Sequence, residues 1–219
     1  MLYNAMGLLS SAMFLGCLFG LVRQFRLVGQ RKLSSDEPGY ATQSLSVNSF
    51  FSSFVAFYAF FLYSIMLAEV DYYLFVTRLL AASMTLLILY QIYSDRASLS
   101  QRLPFLSGLG LMVLALGTLG VREELLLTGR TVATALAVGA TFVMLQGGIQ
   151  QIRKIAKAQT TGALSLSMNA IFMAKDVANM GFGAVLGFAD GWPLLLIGGV
   201  SATIKAVIIG QFYHYRANR

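Results

Sequence analysis

Seven long apolar stretches follow one another along this chain of 219 residues and leave little of it for anything else. The hydrocarbon core of a bilayer is about 30 Å thick, and a helix of about 20 apolar residues crosses it. The stretches have that length, and short connections join them. They are residues 3–22, 44–67, 72–93, 104–121, 130–152, 166–188 and 192–213. The sequence therefore predicts an all-α polytopic membrane protein with seven transmembrane helices.

The composition excludes several other classes of protein. Hydrophobic residues make up 57% of the chain and charged residues only 11%, with a mean hydropathy of +0.71, whereas about a quarter of a soluble domain is charged. A single cysteine, Cys17, and a single histidine, His214, exclude a disulfide framework and a multi-cysteine or histidine-rich metal site. No catalytic arrangement of side chains is spaced for chemistry, so we expect no enzyme and no cofactor.

The basic residues between and after the stretches predict an orientation, because Lys and Arg concentrate in cytoplasmic loops. One side of the predicted membrane holds only Arg122 and Arg130. The other side holds Arg23, Arg26, Arg31, Lys32, Arg96, Arg102, Arg153, Lys154, Lys157, Arg216 and Arg219. We therefore expect the N-terminus outside and the C-terminus in the cytoplasm, in a membrane that the sequence does not specify. Topology explains the net charge of +7 better than nucleic-acid binding does.

An internal repeat divides the chain. Gln24-Phe25-Arg26 matches Gln151-Ile152-Arg153, and Ser44-Leu45-Ser46-Val47-Asn48 matches Ser165-Leu166-Ser167-Met168-Asn169. The third and seventh stretches end in Gln91-Ile92-Tyr93 and Gln211-Phe212-Tyr213. The pattern predicts a first three-helix repeat in 1–95, a linker helix in 96–128 and a second repeat in 129–219. With one helix between them, the two repeats enter the membrane in the same direction.

The second repeat resembles a PQ-loop repeat, in residues 151–157 followed by Thr160-Thr161-Gly162-Ala163-Leu164-Ser165-Leu166-Ser167-Met168. The SWEET sugar transporters are the seven-helix members of that family, so the resemblance implies their fold and alternating access. The hallmark Pro is absent, since Arg23 and Gln150 stand in its place. Gly20 and the pair Gly147-Gly148 lie one turn before these positions and can supply flexibility instead. We therefore predict a hinge at Gln24, Gly147, Gly148 and Gln151.

Four charged residues fall inside the apolar stretches, where ionisable groups are costly and usually functional. They are Arg78, Lys175, Asp176 and Lys205. One interpretation is a structural ion pair between Asp176 and Lys205, which leaves Lys175 and Arg78 unmatched. The other is a cationic pocket in which Asp176 pairs with a cation or relays a proton.

The resemblance also places candidate binding residues. The positions of the family's pocket Trp correspond to Tyr58 and Asn179, and a pocket Asn corresponds to Arg78, so the sugar-recognising set is not present. Arg favours carboxylate or phosphate over a neutral sugar. The predicted substrate-binding set is Tyr58, Arg78, Lys175, Asp176, Asn179 and Lys205.

Three functions are compatible with these features. The first is a transporter for a small polar metabolite (a sugar, an organic acid or an amino acid), with an anionic group favoured by the cations. The second is a retinal protein in which Lys205 forms the Schiff base and Asp176 is its counterion. The third is a non-transporting receptor or assembly subunit on the same fold. The expected partners are a small-molecule substrate and the lipid bilayer, and a homo-oligomer is left open.

Overall fold

Seven α-helices make up the part of the chain that the structure, a computed structural model, describes. It describes residues 1–34, 37–42, 45, 47–96, 99–159 and 166–217. The helices are α1 (Leu2–Ser34), α2 (Val47–Ile65), α3 (Tyr72–Arg96), α4 (Leu99–Gly117), α5 (Arg122–Ala158), α6 (Leu166–Val185) and α7 (Phe188–Ala217). The predicted all-α fold with seven helices is confirmed. Ser44, Ser46 and the predicted loop residues Thr160–Ser165 lie outside the described residues.

Two helices are longer than the apolar stretches predicted. Helix α1 ends at Ser34 rather than near residue 22, and α5 begins at Arg122 and ends at Ala158 rather than spanning 130–152. The basic segment from Arg23 to Lys32 was expected in a loop, and that expectation is wrong. Arg, Lys, Gln and Leu are good helix formers, so each helix continues beyond its apolar part.

Five helices are long and apolar enough to cross a membrane, among the residues that could be assessed. They are Leu2–Ser34, Val47–Ile65, Tyr72–Arg96, Arg122–Lys157 and Phe188–Tyr215. The apolar part of α4, Arg102–Gly117, is shorter. Helix α6 is not among the five, and it carries Lys175 and Asp176 in its middle. The fourth and sixth predicted spans therefore exist as helices; α4 has 19 residues, as many as α2, and α6 carries two charges in its middle.

The chain forms two compact units that do not coincide with the sequence repeats. One unit, which we call the α6–α7 unit, contains Met1–Cys17 and Ala137–Arg219, and the other, the α2–α4 unit, contains Leu18–Leu136. The first helix of each repeat is thus divided between the units. The repeat boundaries at 95 and 129 remain a prediction from sequence similarity.

Aromatic side chains form the core of the α2–α4 unit. Helices α2 and α3 pack together, and α4 packs against both. The buried core includes Phe54, Tyr58, Phe61 and Tyr63. Much of the aromatic run of α2 is therefore packed inside the protein, where large rings contribute most to burial.

Small residues allow α6 and α7 to approach closely in the α6–α7 unit. A side chain added at Gly191 would collide with the backbone of Gly183, and one added at Gly198 would meet Met180. Gly187, in the connection between the two helices, has a φ of 84°, a conformation that favours glycine. The sequence pattern of glycines thus serves close helix packing.

The two repeats share an equivalent contact. In α3, Gln91 Nε2 donates to the Phe25 carbonyl oxygen at 3.2 Å. In α7, Gln211 Nε2 donates to the Ile152 carbonyl oxygen at 3.1 Å. All four residues belong to the matching tripeptides, so the sequence similarity between repeats corresponds to the same three-dimensional contact in each unit.

Candidate functional site

A buried carboxylate joins the middle of α6 to the middle of α7. Asp176 Oδ1 lies 2.6 Å from Lys175 Nζ, and its Oδ2 lies 3.5 Å from Lys205 Nζ. Ser201 Oγ donates to Oδ2 at 2.5 Å, while Lys205 Nζ donates to Ser201 Oγ at 2.8 Å. We call these four residues the Asp176 cluster. Its hydrogen bonds and ion pairs are what make a buried charge tolerable.

The charges of the Asp176 cluster differ in their exposure. The carboxylate side chain is 3% exposed, whereas the side chains of Lys175 and Lys205 are each 19% exposed. An aromatic ring accompanies each ammonium group, with Phe14 5.9 Å from Lys175 Nζ and Phe172 5.9 Å from Lys205 Nζ. The two cations are thus the accessible part of the cluster.

The contacts show which of the charged residues predicted from the sequence have partners. The ion pair between Asp176 and Lys205 is present, as predicted. The expectation that this pair leaves Lys175 unmatched is wrong, because Lys175 approaches the same carboxylate more closely. Arg78, the other cation expected to be unmatched, donates from its Nη1 to the neutral Thr77 Oγ1 at 3.4 Å.

One face of α1 lies against the candidate site. Ser10 Oγ donates to Asn179 Oδ1 at 2.5 Å, and Phe14 contacts Lys175. Cys17 is half-buried and lies within electrostatic range of all three charged residues of the Asp176 cluster. The spacing of four and three residues between Ser10, Phe14 and Cys17 puts them on one side of a helix.

Four of the six predicted binding residues belong to the same unit and lie together: Lys175, Asp176, Asn179 and Lys205. The other two, Tyr58 and Arg78, belong to the α2–α4 unit. Tyr58 is 2% exposed and Arg78 4% exposed. Tyr58 stacks on Phe54 with ring centroids 5.9 Å apart, inside the apolar core.

The predicted hinge residues all lie within continuous helices. Gln24 is in α1, and Gly147, Gly148 and Gln151 are in α5. A Cβ atom at Gly148 would collide with the side chain of Ile204, whereas one at Gly147 would meet nothing within 4 Å. Gly148 is therefore a packing position against α7, and Gly147 has free space around it.

Sequence reasoning passed over Ser201, which bridges Asp176 and Lys205. Its signal is its position four residues before Lys205, on the same helix face. Ser10 and Phe14 were also passed over, because nothing in the sequence pairs α1 with α6. Among the described residues, no group of three or more His, Cys, Asp or Glu side chains could hold a metal ion.

Comparisons with known proteins show the fold. No protein-family model and no curated protein matches the chain. The structure is similar to that of a eukaryotic SWEET transporter, with a TM-score of 0.73, over 99% of this chain and 98% of that one, at 13% sequence identity. At that identity the similarity shows the fold alone. Together with the apolar helices, it makes this chain an integral membrane protein with the seven-helix SWEET fold.

Proposed function

We propose that this protein is a transporter that carries a small polar metabolite with an anionic group across a membrane. The two three-helix repeats would give access to the site from each side in turn. The observation that carries the proposal is the Asp176 cluster, a buried group of charges in the middle of two helices of a SWEET-type fold. These charges form a polar site inside the membrane-spanning part of the fold, whereas a helix that faces lipid carries apolar side chains there.

The depth of the charges supports a site in the membrane interior. Lys175 and Asp176 are the tenth and eleventh residues of α6, which has 20 residues. At 1.5 Å per residue this places them about 15 Å along the helix, half of a hydrocarbon core of about 30 Å. Ionisable groups at that depth face a protein interior or a water-filled cavity, since lipid solvates them poorly.

The identity of the charges supports an anionic substrate. Lys175 and Lys205 are the accessible groups, and the carboxylate between them is almost fully buried. A neutral sugar would be recognised by neutral donors and acceptors and would leave the excess cation unpaired. A carboxylate or phosphate group would pair with it. An organic acid or an amino acid therefore fits better than a sugar.

The proposed binding set remains Tyr58, Arg78, Lys175, Asp176, Asn179 and Lys205. The four residues of the α6–α7 unit are the best-supported members of this set, because they lie together and two of them are accessible. Tyr58 and Arg78 would contribute only after their side chains become exposed. Gln24, Gly147, Gly148 and Gln151 remain the proposed hinge, with Gly147 best placed to bend.

Exchange into proteoliposomes tests the proposal. Purified protein would be reconstituted and assayed with labelled sugars, organic acids and amino acids, with Arg23→Met as a surface control and Lys205→Met as the site variant. We expect uptake of an organic acid or amino acid that Lys205→Met abolishes and Arg23→Met preserves. Uptake of no solute by folded protein would contradict the proposal, and binding without flux would favour a receptor.

A retinal protein is a second candidate, because Asp176 lies 3.5 Å from Lys205 Nζ, where a Schiff-base counterion would be needed. The similarity to a SWEET transporter over nearly the whole chain favours the transporter. Addition of retinal to the purified protein distinguishes the two. A visible absorption band that Lys205→Met removes would support the retinal protein.

A further inference from the structure

We propose that the Asp176 cluster selects a monovalent anion, a monocarboxylate, because the cluster carries one uncompensated positive charge. That the anion is transported rests on the proposed function. That it binds at the cluster does not. Three observations support it: the net charge of the cluster, the exposure of its charges and the partners that both oxygens of the buried carboxylate already have.

The charge count comes from the groups that surround Lys205. The ionisable side chains of the Asp176 cluster are Lys175, Lys205 and Asp176, which lie in direct ionic contact. Two ammonium groups and one carboxylate leave a net charge of +1. An uncompensated charge is costly in a medium of low dielectric constant. A bound monoanion brings the site to neutrality, whereas a dianion reverses its charge and a neutral solute leaves it unchanged.

Both oxygens of the Asp176 carboxylate already have partners and the group is buried, so it does not recognise the ligand. Its Oδ1 accepts from Lys175, and its Oδ2 accepts from Ser201 and contacts Lys205. The side chain is 3% exposed, against 19% for each lysine. A ligand therefore meets ammonium groups, and a cationic ligand would be repelled.

The ammonium groups have donors left for a carboxylate. Each ammonium carries three protons, and Lys175 uses one on Asp176 while Lys205 points to Ser201 and Asp176. The remaining protons can be donated to the two oxygens of a carboxylate. Phe14 and Phe172 flank the two ammonium groups and offer an apolar surface to the carbon chain of a monocarboxylate.

Cys17 reports on this site without any engineered label. It is the only cysteine of the chain, it is half-buried, and it lies within electrostatic range of the three charged residues. The rate of its alkylation by a maleimide would be measured on detergent-purified protein. The probes are potassium acetate, potassium lactate, potassium succinate and glucose, with ionic strength matched by potassium sulfate.

We expect acetate and lactate to slow the alkylation of wild-type Cys17, and glucose and succinate to have little effect. Lys205→Met makes the cluster neutral and should raise the half-protecting lactate concentration by about tenfold or more. Lys175→Met also makes the cluster neutral, and it is used instead if Lys205→Met does not fold. Asp176→Asn makes the charge +2 and should bring protection by succinate. Thr203→Ala removes an exposed hydroxyl that donates to the Gly199 carbonyl oxygen of its own helix, and it should behave as wild type.

Protection by glucose but not by monocarboxylates would overturn the inference, as would an unchanged ligand preference in Asp176→Asn. The outcome is separable from that of the proposed function. Charge-dependent protection without exchange in proteoliposomes would support the anion site and refute the transporter. Exchange of a neutral sugar, with no protection by carboxylates, would support the transporter and refute the anion site.

Discussion

At the scale of single residues, Ser201 is the small group on which the buried charges depend. Its hydroxyl donates to Asp176 and accepts from Lys205, so it bridges the carboxylate and the ammonium group. Without it, the carboxylate would lose a donor and the ammonium would lose an acceptor. A buried polar group left unsatisfied costs about 1–3 kcal/mol, and more when it is charged.

Ser201→Ala should therefore lower stability by about 1–3 kcal/mol. Thr203→Ala is the matched control, because it removes an exposed hydroxyl two residues away that donates to the Gly199 carbonyl oxygen of its own helix. The apparent melting temperature in detergent measures both changes. Equal melting temperatures for the two variants would show that Ser201 does not hold the charges in place.

The two neighbouring glycines of α5 provide a second pair of variants. Gly147→Ala meets no neighbour, and alanine favours a helix over glycine by about 1 kcal/mol. We expect Gly147→Ala to fold in normal yield and to slow exchange, because α5 becomes stiffer at the proposed hinge. Gly148→Ala pushes against Ile204 and should cost about 1–3 kcal/mol through overpacking.

Thermal unfolding and initial exchange rates separate the two effects. An exchange rate of Gly147→Ala equal to that of the wild type would refute the hinge. A melting temperature of Gly148→Ala equal to that of the wild type would refute the packing role of Gly148.

Some residue contacts could be predicted from the sequence and others could not. The pairing of Asp176 with Lys205 could, since both are ionisable groups in apolar stretches that need a partner. The contact between Lys175 and Asp176 was missed because adjacent residues of a helix point in different directions, and only the long lysine stem closes the gap. The contact of Gly148 with Ile204 joins distant segments, and no local pattern encodes it.

At the scale of helices, the arginine that begins α5 closes the end of α2. Arg122 Nε donates to the Ile65 carbonyl oxygen at 2.7 Å, and its Nη2 donates to Ala68 at 2.8 Å and also to Leu67. The last carbonyl groups of a helix have no partners within the helix. Arg122 satisfies one such acceptor, at Ile65, and also binds two carbonyl groups of the connection that follows α2.

Arg122→Met should cost about 1.5–3 kcal/mol, because hydrogen bonds from a charged group are lost while the apolar stem is kept. Arg122→Lys should recover part of the loss, since it retains the charge but not the fork of donors. Thermal unfolding in detergent compares both with Arg23→Met, a change at an exposed arginine. A loss no greater than that of Arg23→Met would exclude the capping role.

The sequence predicted that each helix exists but not where each one ends. The length of each apolar stretch shows which segment can lie in the hydrocarbon core, and seven such segments are found. The extension of α1 through Gln24–Ser34 is rich in long polar and basic side chains, which continue a helix as well as apolar residues do. The role of Arg122 was missed for a related reason, since a charge counted for topology gives no sign of the carbonyl groups that it reaches.

At the scale of the whole molecule, the predicted repeats and the compact units divide the chain at different positions. The predicted repeats would comprise α1–α3 and α5–α7, and Gln91 and Gln211 make equivalent hydrogen bonds in them. The compact units divide α1 after Cys17 and α5 after Leu136. The repeat remains a prediction from short sequence motifs, whereas the division of the units in the middle of continuous helices leaves no mark in the sequence.

The orientation is a prediction that belongs to this scale. In a Cys17→Ser background, a cysteine would replace Glu69, between α2 and α3, or Leu33, near the end of α1; both positions are exposed. If the basic segments are cytoplasmic, a membrane-impermeant maleimide added to intact cells labels position 69, and it labels position 33 only after permeabilisation. The opposite pattern would reverse the orientation.

Counterflow tests most directly whether this chain carries a solute across a membrane. Proteoliposomes preloaded with an unlabelled organic acid or amino acid would be diluted into a trace of the labelled form. A carrier should accumulate label transiently above its equilibrium level, and Lys205→Met should abolish the overshoot. The absence of an overshoot for every solute tested, with folded and reconstituted wild-type protein, would contradict the account.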